Sequence, residues 1–335
     1  MAHYIIEDAG GEKSCFYAQS DGIYKKTETG CKWNDGKRVY PHPVRDFCVK
    51  TDANNILHIL CINRQGDIIY IKNNGETHTL IKSNGKISAK HLMLYEYNHR
   101  ISLVYTAEYG SETLLVYCIL GINSMPVTID SVRSDNFFLY NNKVYYQNKD
   151  GILGYKDFSD GKPDTFIPVA DNAHSVHIIE YNGQELMVYK AEEGLICGEH
   201  EVINDKYAKN PLLIIRGNSL LLVWESGGFI RYAESSDSGE TFHTPMRFAN
   251  SSPPMKIYKI QKGGNFIYEY ASEREHEIRL FSGKGEKVSL RRNMSMHSGR
   301  ETDKVMIMMQ MMKSDIAELK GRVEMIEEIL KNKEQ

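Results

Sequence analysis

A chain of 335 residues with 41 basic and 44 acidic side chains carries a formal charge of −3, a balance that gives no reason to expect nucleic acid as a partner. Hydrophobic residues at 41% and charged residues at 25% are the proportions of a typical globular domain, and no apolar run approaches the roughly 18–20 residues that would span a membrane. The opening Met1-Ala2-His3-Tyr4-Ile5-Ile6-Glu7-Asp8 lacks the basic start and apolar core of a secretory leader, so synthesis in the cytoplasm is expected, with incorporation into a particle or surface assembly left open.

Short β-type runs bounded by Gly, Asn and Asp recur along almost the whole chain. One unit reads Asp46–Val49, Ile56–Ile62, Asp67–Ile71 and His78–Ile81; the next reads His91–Tyr95, Ile101–Tyr105, Leu114–Cys118 and Val127–Ile129. Other units open near Tyr4, Asn136, Ser175, Pro211 and Met255, and the steps from Asp46 to His91 and from His91 to Asn136 are both 45 residues. Four short strands in about 45 residues is the content of a propeller blade. Helical periodicity is absent before residue 300, which excludes a βαβ sheet. The expected fold is therefore all-β, a seven-bladed β-propeller of four-stranded blades over 1–290, followed by a linker (291–301) and a coiled-coil helix (302–335).

The segment Ser235-Ser236-Asp237-Ser238-Gly239-Glu240-Thr241-Phe242 has the form Ser-x-Asp-x-Gly-x-Thr-aromatic. It resembles the Asp box of sialidases and related propellers. That resemblance implies a turn between the third and fourth strands of a blade, on the face away from the substrate site. The physical demand is clear: Gly239 permits positive φ, Asp237 takes backbone amides, and Phe242 anchors the turn. Eroded copies stand at Asn73-Asn74-Gly75-Glu76-Thr77-His78 and Glu28-Thr29-Gly30-Cys31-Lys32-Trp33, with Gly30 and Gly75 again 45 residues apart. The catalytic signature of a sialidase does not accompany the box. Its Arg-Ile-Pro motif is missing, and Val44-Arg45-Asp46 matches only the arginine.

Turns between second and third strands build the ligand face of many propellers. Here they supply Asp21, Arg64, Asp67, Glu108, Asp150, Glu192, Glu225, Glu273 and Arg274, a funnel rich in carboxylates that would attract a cation or a basic partner. Solvated turns favour the same residue types. No Walker loop, HExxH or GxSxG occurs, and Glu225-Ser226-Gly227-Gly228-Phe229 reads as a hairpin turn. His174 and His177 lack a third ligand, and the six cysteines (Cys15, Cys31, Cys48, Cys61, Cys118, Cys197) show no CxxC spacing, so neither metal nor cofactor is expected. Trp33 and Trp224 read as core.

Beyond residue 302 a heptad runs unbroken, with Met309, Ile316, Val323 and Leu330 at a and Val305, Met312, Leu319 and Ile326 at d. Asp315 would face Lys320, and Arg322 would face Glu327, across a parallel in-register pair. Arg322…Glu327 also resembles the pattern of short parallel trimers, whereas Ile316 and Val323 at a with Leu319 at d favour two strands. A parallel homo-oligomer is expected, the trimer slightly preferred and the dimer left open.

These features lead to a non-enzymatic binding or scaffold protein whose head recognises a glycan or another protein, with avidity from the coil. The alternative is a divergent glycan-active hydrolase or lyase using acidic funnel residues. Deleting 302–335 is expected to give a folded monomer by light scattering; an unchanged oligomer would refute the coiled coil.

Overall fold

The computed structural model describes residues 3–282, apart from 30–31, 73–74, 84, 86, 122–124, 159–162, 249–254, 263–264 and 275–276. The expected linker and coiled-coil helix lie outside the described residues, as do Gly30, Cys31, Asn73 and Asn74. Among the described residues every regular element is a strand.

The first group holds β1 (His3–Glu7), β2 (Lys13–Gln19), β3 (Gly22–Thr29), β4 (Lys32–Trp33) and β5 (Lys37–Tyr40). The second holds β6 (Val44–Thr51), β7 (Leu57–Asn63), β8 (Ile68–Ile71) and β9 (Thr77–Ile81). Then come β10 (Ile87–Tyr97), β11 (Arg100–Tyr109), β12 (Glu112–Ile119) and β13 (Val127–Tyr140), with β14 (Lys143–Asn148), β15 (Ile152–Asp157) and β16 (Ile167–Asp171) continuing the same sheet. Two further four-stranded sheets follow. One is β17 (His174–Tyr181), β18 (Gln184–Lys190), β19 (Leu195–Cys197) and β20 (His200–Ile203); the other is β21 (Lys209–Arg216), β22 (Ser219–Ser226), β23 (Phe229–Ser235) and β24 (Met246–Arg247). Last are β25 (Lys256–Lys262), β26 (Asn265–Arg274) and β27 (Glu277–Leu280).

Second strands such as β7, β11 and β22 are buried on both faces along their middles, because their sheets are packed between others. Leu220, Leu221, Leu222, Val223 and Trp224 of β22 form a continuous run of buried residues, the pattern of a strand covered on both sides. Outer strands such as β9 are largely exposed. Tight hairpins join first to second strands. Asn98-His99 and Asn182-Gly183 take positive φ at both central positions, the condition of a type I′ turn; Gly227-Gly228 does the same between β22 and β23.

The first strands neighbour one another in a cycle. β1 lies beside β6, β6 beside β10, β10 beside β13, β13 beside β17, and β17 beside β21; β21 lies beside β26, whose partner β25 returns to β1. This is a propeller-like ring. It departs from the expected pattern at β13, which is shared: its first half pairs with β12 and its second half with β14. Two groups that the sequence reads as separate are thereby one seven-stranded sheet.

The ring closes through β1 and β25, the one parallel ladder among the described strands, in register from His3↔Tyr258 to Glu7↔Lys262. Gln261 reinforces the closure. Its Oε1 accepts the Thr51 N–H at 2.7 Å and its Nε2 donates to the Thr51 carbonyl at 2.6 Å, so one side-chain amide supplies β6 with both halves of a ladder bond. The Tyr4 hydroxyl donates to the Phe47 carbonyl at 3.3 Å. Replacing Gln261 with Ala strips two partners from Thr51 and is expected to cost about 1–3 kcal/mol, measured by urea unfolding; an unchanged midpoint would refute the clasp.

Candidate functional site

The repeat has a structural origin at the ring's centre. First strands carry β-bulges at a common level. In β10, His91 and Leu92 together oppose Tyr105; in β17, Ser175 and Val176 oppose Tyr189; in β21, Asn210 and Pro211 oppose Trp224. His91, Ser175 and Asn210 sit at φ of 51°, 55° and 49°, a region His and Asn enter more readily than most residues. In β13 the shift spans Val132 to Phe137, and in β6 it falls between Val44 and Asp46. A bulge re-aims side chains and twists its strand. Here it turns residues of successive first strands toward a common cavity of about 630 Å³, within the size range of small-molecule sites.

Three rings from three sheets meet within the cavity lining. Phe138 and Tyr268 lie 5.1 Å apart, Phe138 and His177 5.3 Å, and His177 and Tyr268 5.5 Å. His177 is fully buried and its Nδ1 accepts the Leu213 N–H at 3.1 Å. The proton of the neutral ring therefore sits on Nε2, and burial lowers the pKa to about 3. A neutral, buried imidazole with a committed nitrogen serves as core.

Charged groups on the wall are few. Asp46 accepts the Leu92 N–H at 2.9 Å, and Glu225 accepts from Asn210 at 3.2 Å and from the Tyr270 hydroxyl at 3.3 Å. Lys259 is placed by the ring closure itself, since it is the register partner of both Tyr4 on β1 and Tyr268 on β26. Its Nζ lies 5.4 Å and 5.7 Å from those two ring centroids. Burial lowers the Lys259 pKa against a smaller opposing pull from Asp46.

The funnel residues expected from sequence stand at or beside the turns between second and third strands, but only Glu225 lines the cavity. Asp21 is exposed and holds the Tyr24 hydroxyl and Arg38 at 2.8 and 3.0 Å. Asp67 caps its turn, taking the Ser83 N–H at 2.8 Å and the Asn63 amide at 3.0 Å. Glu108 pairs with Lys90 at 2.5 Å, and Glu273 pairs with Lys26 at 2.5 Å. Arg64, Asp150 and Glu192 are exposed; the Arg274 side chain lies outside the description. Sequence reasoning missed Lys259, Tyr4, Phe138 and Tyr268. The signal present was the unit openings near Asp46, His91, Asn136, Ser175 and Pro211, which coincide with the bulges.

The turn after β23 forms a closed network. Asp237 Oδ1 accepts from Ser235 Oγ at 2.8 Å and from the Thr241 N–H at 2.9 Å, Oδ2 accepts the Thr241 hydroxyl, and the Gly239 N–H reaches Ser235 Oγ at 2.9 Å. The two Thr241 bonds, then Ser235, hold the Asp237 carboxyl down at about 2. Gly239 has φ +95°, and a Cβ there would lie 2.8 Å from Leu186 Cδ2 of the neighbouring sheet. Trp33 and Trp224 are buried, as are Cys15, Cys48, Cys61, Cys118 and Cys197. Burial pushes Cys15, Cys61 and Cys197 up to about 12.

No family model and no curated protein matches the sequence. Solved structures do match in shape. The AfRom2 CNH domain shares 10% identity at a TM-score of 0.51, over 82% of this chain and 92% of that one. BBS1N, in complex with ARL6DN, matches at 10% identity and a TM-score of 0.51, over 85% and 92%. The dihydro-heme d1 dehydrogenase NirN gives 10% and 0.55, over 84% of this chain and 64% of its own length. These neighbours are propeller-like. The fold is that of a β-propeller. At such identity the likeness speaks to the fold alone.

Burial lowers the pKa of His177 to about 3 and that of His3 to about 4, the latter with help from Lys256. The unfolded chain binds these protons from about pH 6.5 downward while the native ring refuses them. Stability is expected to be full above that pH and to fall by up to ~1.4 kcal/mol per unit per histidine down to about pH 4. Denaturant midpoints at pH 7.5, 6 and 5 test this; His177→Gln should flatten the slope.

Proposed function

We propose that the chain is a non-enzymatic oligomeric binding or scaffold protein, a seven-bladed propeller head multiplied by a C-terminal parallel coiled coil. The count of seven is supported by the cycle of first strands β1, β6, β10, β13, β17, β21 and β25. The head would span 1–290 and the coil 302–335, as a trimer in preference to a dimer. The third-to-fourth-strand position of the Asp237 turn, its bonding and its Gly239 support reading it as an Asp box with a structural role.

One observation carries the binding reading. Most of the turn-face carboxylates expected from sequence are committed to structural partners, as in Lys26–Glu273, Lys90–Glu108 and the Asp67 turn. They offer a surface of mixed charge and not paired acids free for chemistry. Propeller heads do carry protein contacts, and the BBS1N neighbour was solved in complex with ARL6DN. The ligand here would be a glycan or another protein. A second reading, a divergent glycan-active enzyme, is favoured by one arrangement: Asp46 and Glu225 share a cavity with an aromatic cluster.

A glycan array and a protein pull-down with the intact oligomer, each repeated with a chain lacking 302–335, test the binding reading. Retention is expected to drop at least about a hundredfold in the truncated form through lost avidity. Release of free sugar from arrayed glycans, abolished by Glu225→Gln, would favour the enzyme instead. Asp237→Ala is expected to lower the melting temperature and leave binding intact; lost binding in a fully folded variant would contradict a structural box.

A further inference from the structure

The ring closure does more than join two ends. It places Lys259 in the cavity wall with no ion-pair partner among the described residues. Lys259 has no hydrogen bond or ion pair among the described residues; its Nζ rests between the Tyr4 and Tyr268 rings, and both rings line the cavity. The Tyr268 hydroxyl, across one register pair, is buried and has no hydrogen-bond partner among the described residues. The ammonium therefore meets only two ring faces and the longer-range pull of Asp46. Buried polar groups left in that state are costly unless something else satisfies them.

We propose that the central cavity is a binding site for a small organic monocarboxylate, its charge met by Lys259 and its ring or hydrocarbon body laid against Phe138 and Tyr268. The chemistry follows from the wall. Lys259 is the ammonium within the wall, Lys256 being exposed at the rim, and the carboxylates of Asp46 and Glu225 in the same lining disfavour a second negative charge. A phosphate dianion is therefore the poorer fit. The Phe138–Tyr268 pair, with Tyr145 beside it, supplies the apolar surface that an inorganic anion could not use. Lys256 is exposed at the cavity's edge, close in the ladder to Lys259, and adds attraction for an entering anion. The imidazoles bordering the space are occupied otherwise: His91 faces Asp135 at 3.0 Å, His174 faces Ser175 at 2.8 Å, and His177 holds Leu213. Burial lowers the Lys259 pKa, and the opposing pull of Asp46 does not restore it.

The test uses the full chain and four probes: benzoate, phenylacetate, the neutral benzamide, and phenyl phosphate. Titration calorimetry or ligand-observed NMR should show both carboxylates binding, benzamide about tenfold weaker or worse, and phenyl phosphate weaker than benzoate. Lys259→Met should remove the preference for benzoate over benzamide while folding at least as stably as the parent, since it deletes an unpaired buried charge. Lys259→Arg should keep the preference. If the methionine variant fails to fold, Lys259→Gln, which keeps a polar side chain and loses the charge, should remove the preference instead. Equal binding of benzoate and benzamide, unaltered benzoate affinity in Lys259→Met, or no binding of either carboxylate at millimolar concentration would each overturn the site. The array and truncation results read the outer face and the coil, so those outcomes are independent of these.

Discussion

Everything else in the molecule depends on five residues at each end of the ring pairing in parallel. First strands of different sheets in the ring are neighbours by packing and not by ladder, whereas β1 and β25 are joined by a ladder within one eight-stranded sheet. That ladder converts a row of sheets, each burying its faces on the next, into a closed ring with no terminal sheet left half covered. Gln261 and Tyr4 extend the closure inward by bonding to the backbone of β6 at Thr51 and Phe47. Loss of that register would expose apolar faces of two sheets at once, a far larger penalty than any single bond.

The same closure defines the cavity chemically. A bulge in each of several first strands opens space at the centre, and the residues that tolerate its backbone, His91, Ser175 and Asn210, bring polar groups to the wall. Aromatic rings from opposite sides fill part of that space. What remains is amphipathic: an aromatic cluster, two carboxylates already bonded to the wall, and the lysines of the seam, Lys259 in the wall and Lys256 at the rim. Charges on the outer face are arranged differently, as pairs and turn caps that hold strands in place.

The fold class was legible because its repeat is local. The 45-residue step from Asp46 to His91 to Asn136 measures the spacing between bulges, and each bulge leaves a polar residue or a proline in an otherwise apolar run. Strands β6 to β9 and β10 to β12 fall where those runs lie. The sharing of β13 between two halves of a sheet was not legible, since nothing at Ser131–Asn136 forbids a break. The site was legible least of all. Lys259 differs from other lysines only in being opposite Tyr4, a residue 255 positions earlier, and Phe138, His177 and Tyr268 meet across the ring. Residues such as Asp21 and Asp67 looked like ligands because turn caps and binding groups draw on the same side chains.

The parallel closure also imposes an order of events on synthesis and folding. β1 is made long before its ladder partner, which begins at Lys256, so until then this strand presents an open edge. Such an edge is a template for pairing with another chain, and contacts of this sequence separation form slowly because the intervening loop must close. Adjacent sheets fold from local hairpins in the meantime. The last strands therefore act as a latch, and a chain stalled before them would be compact in its middle and adhesive at its beginning.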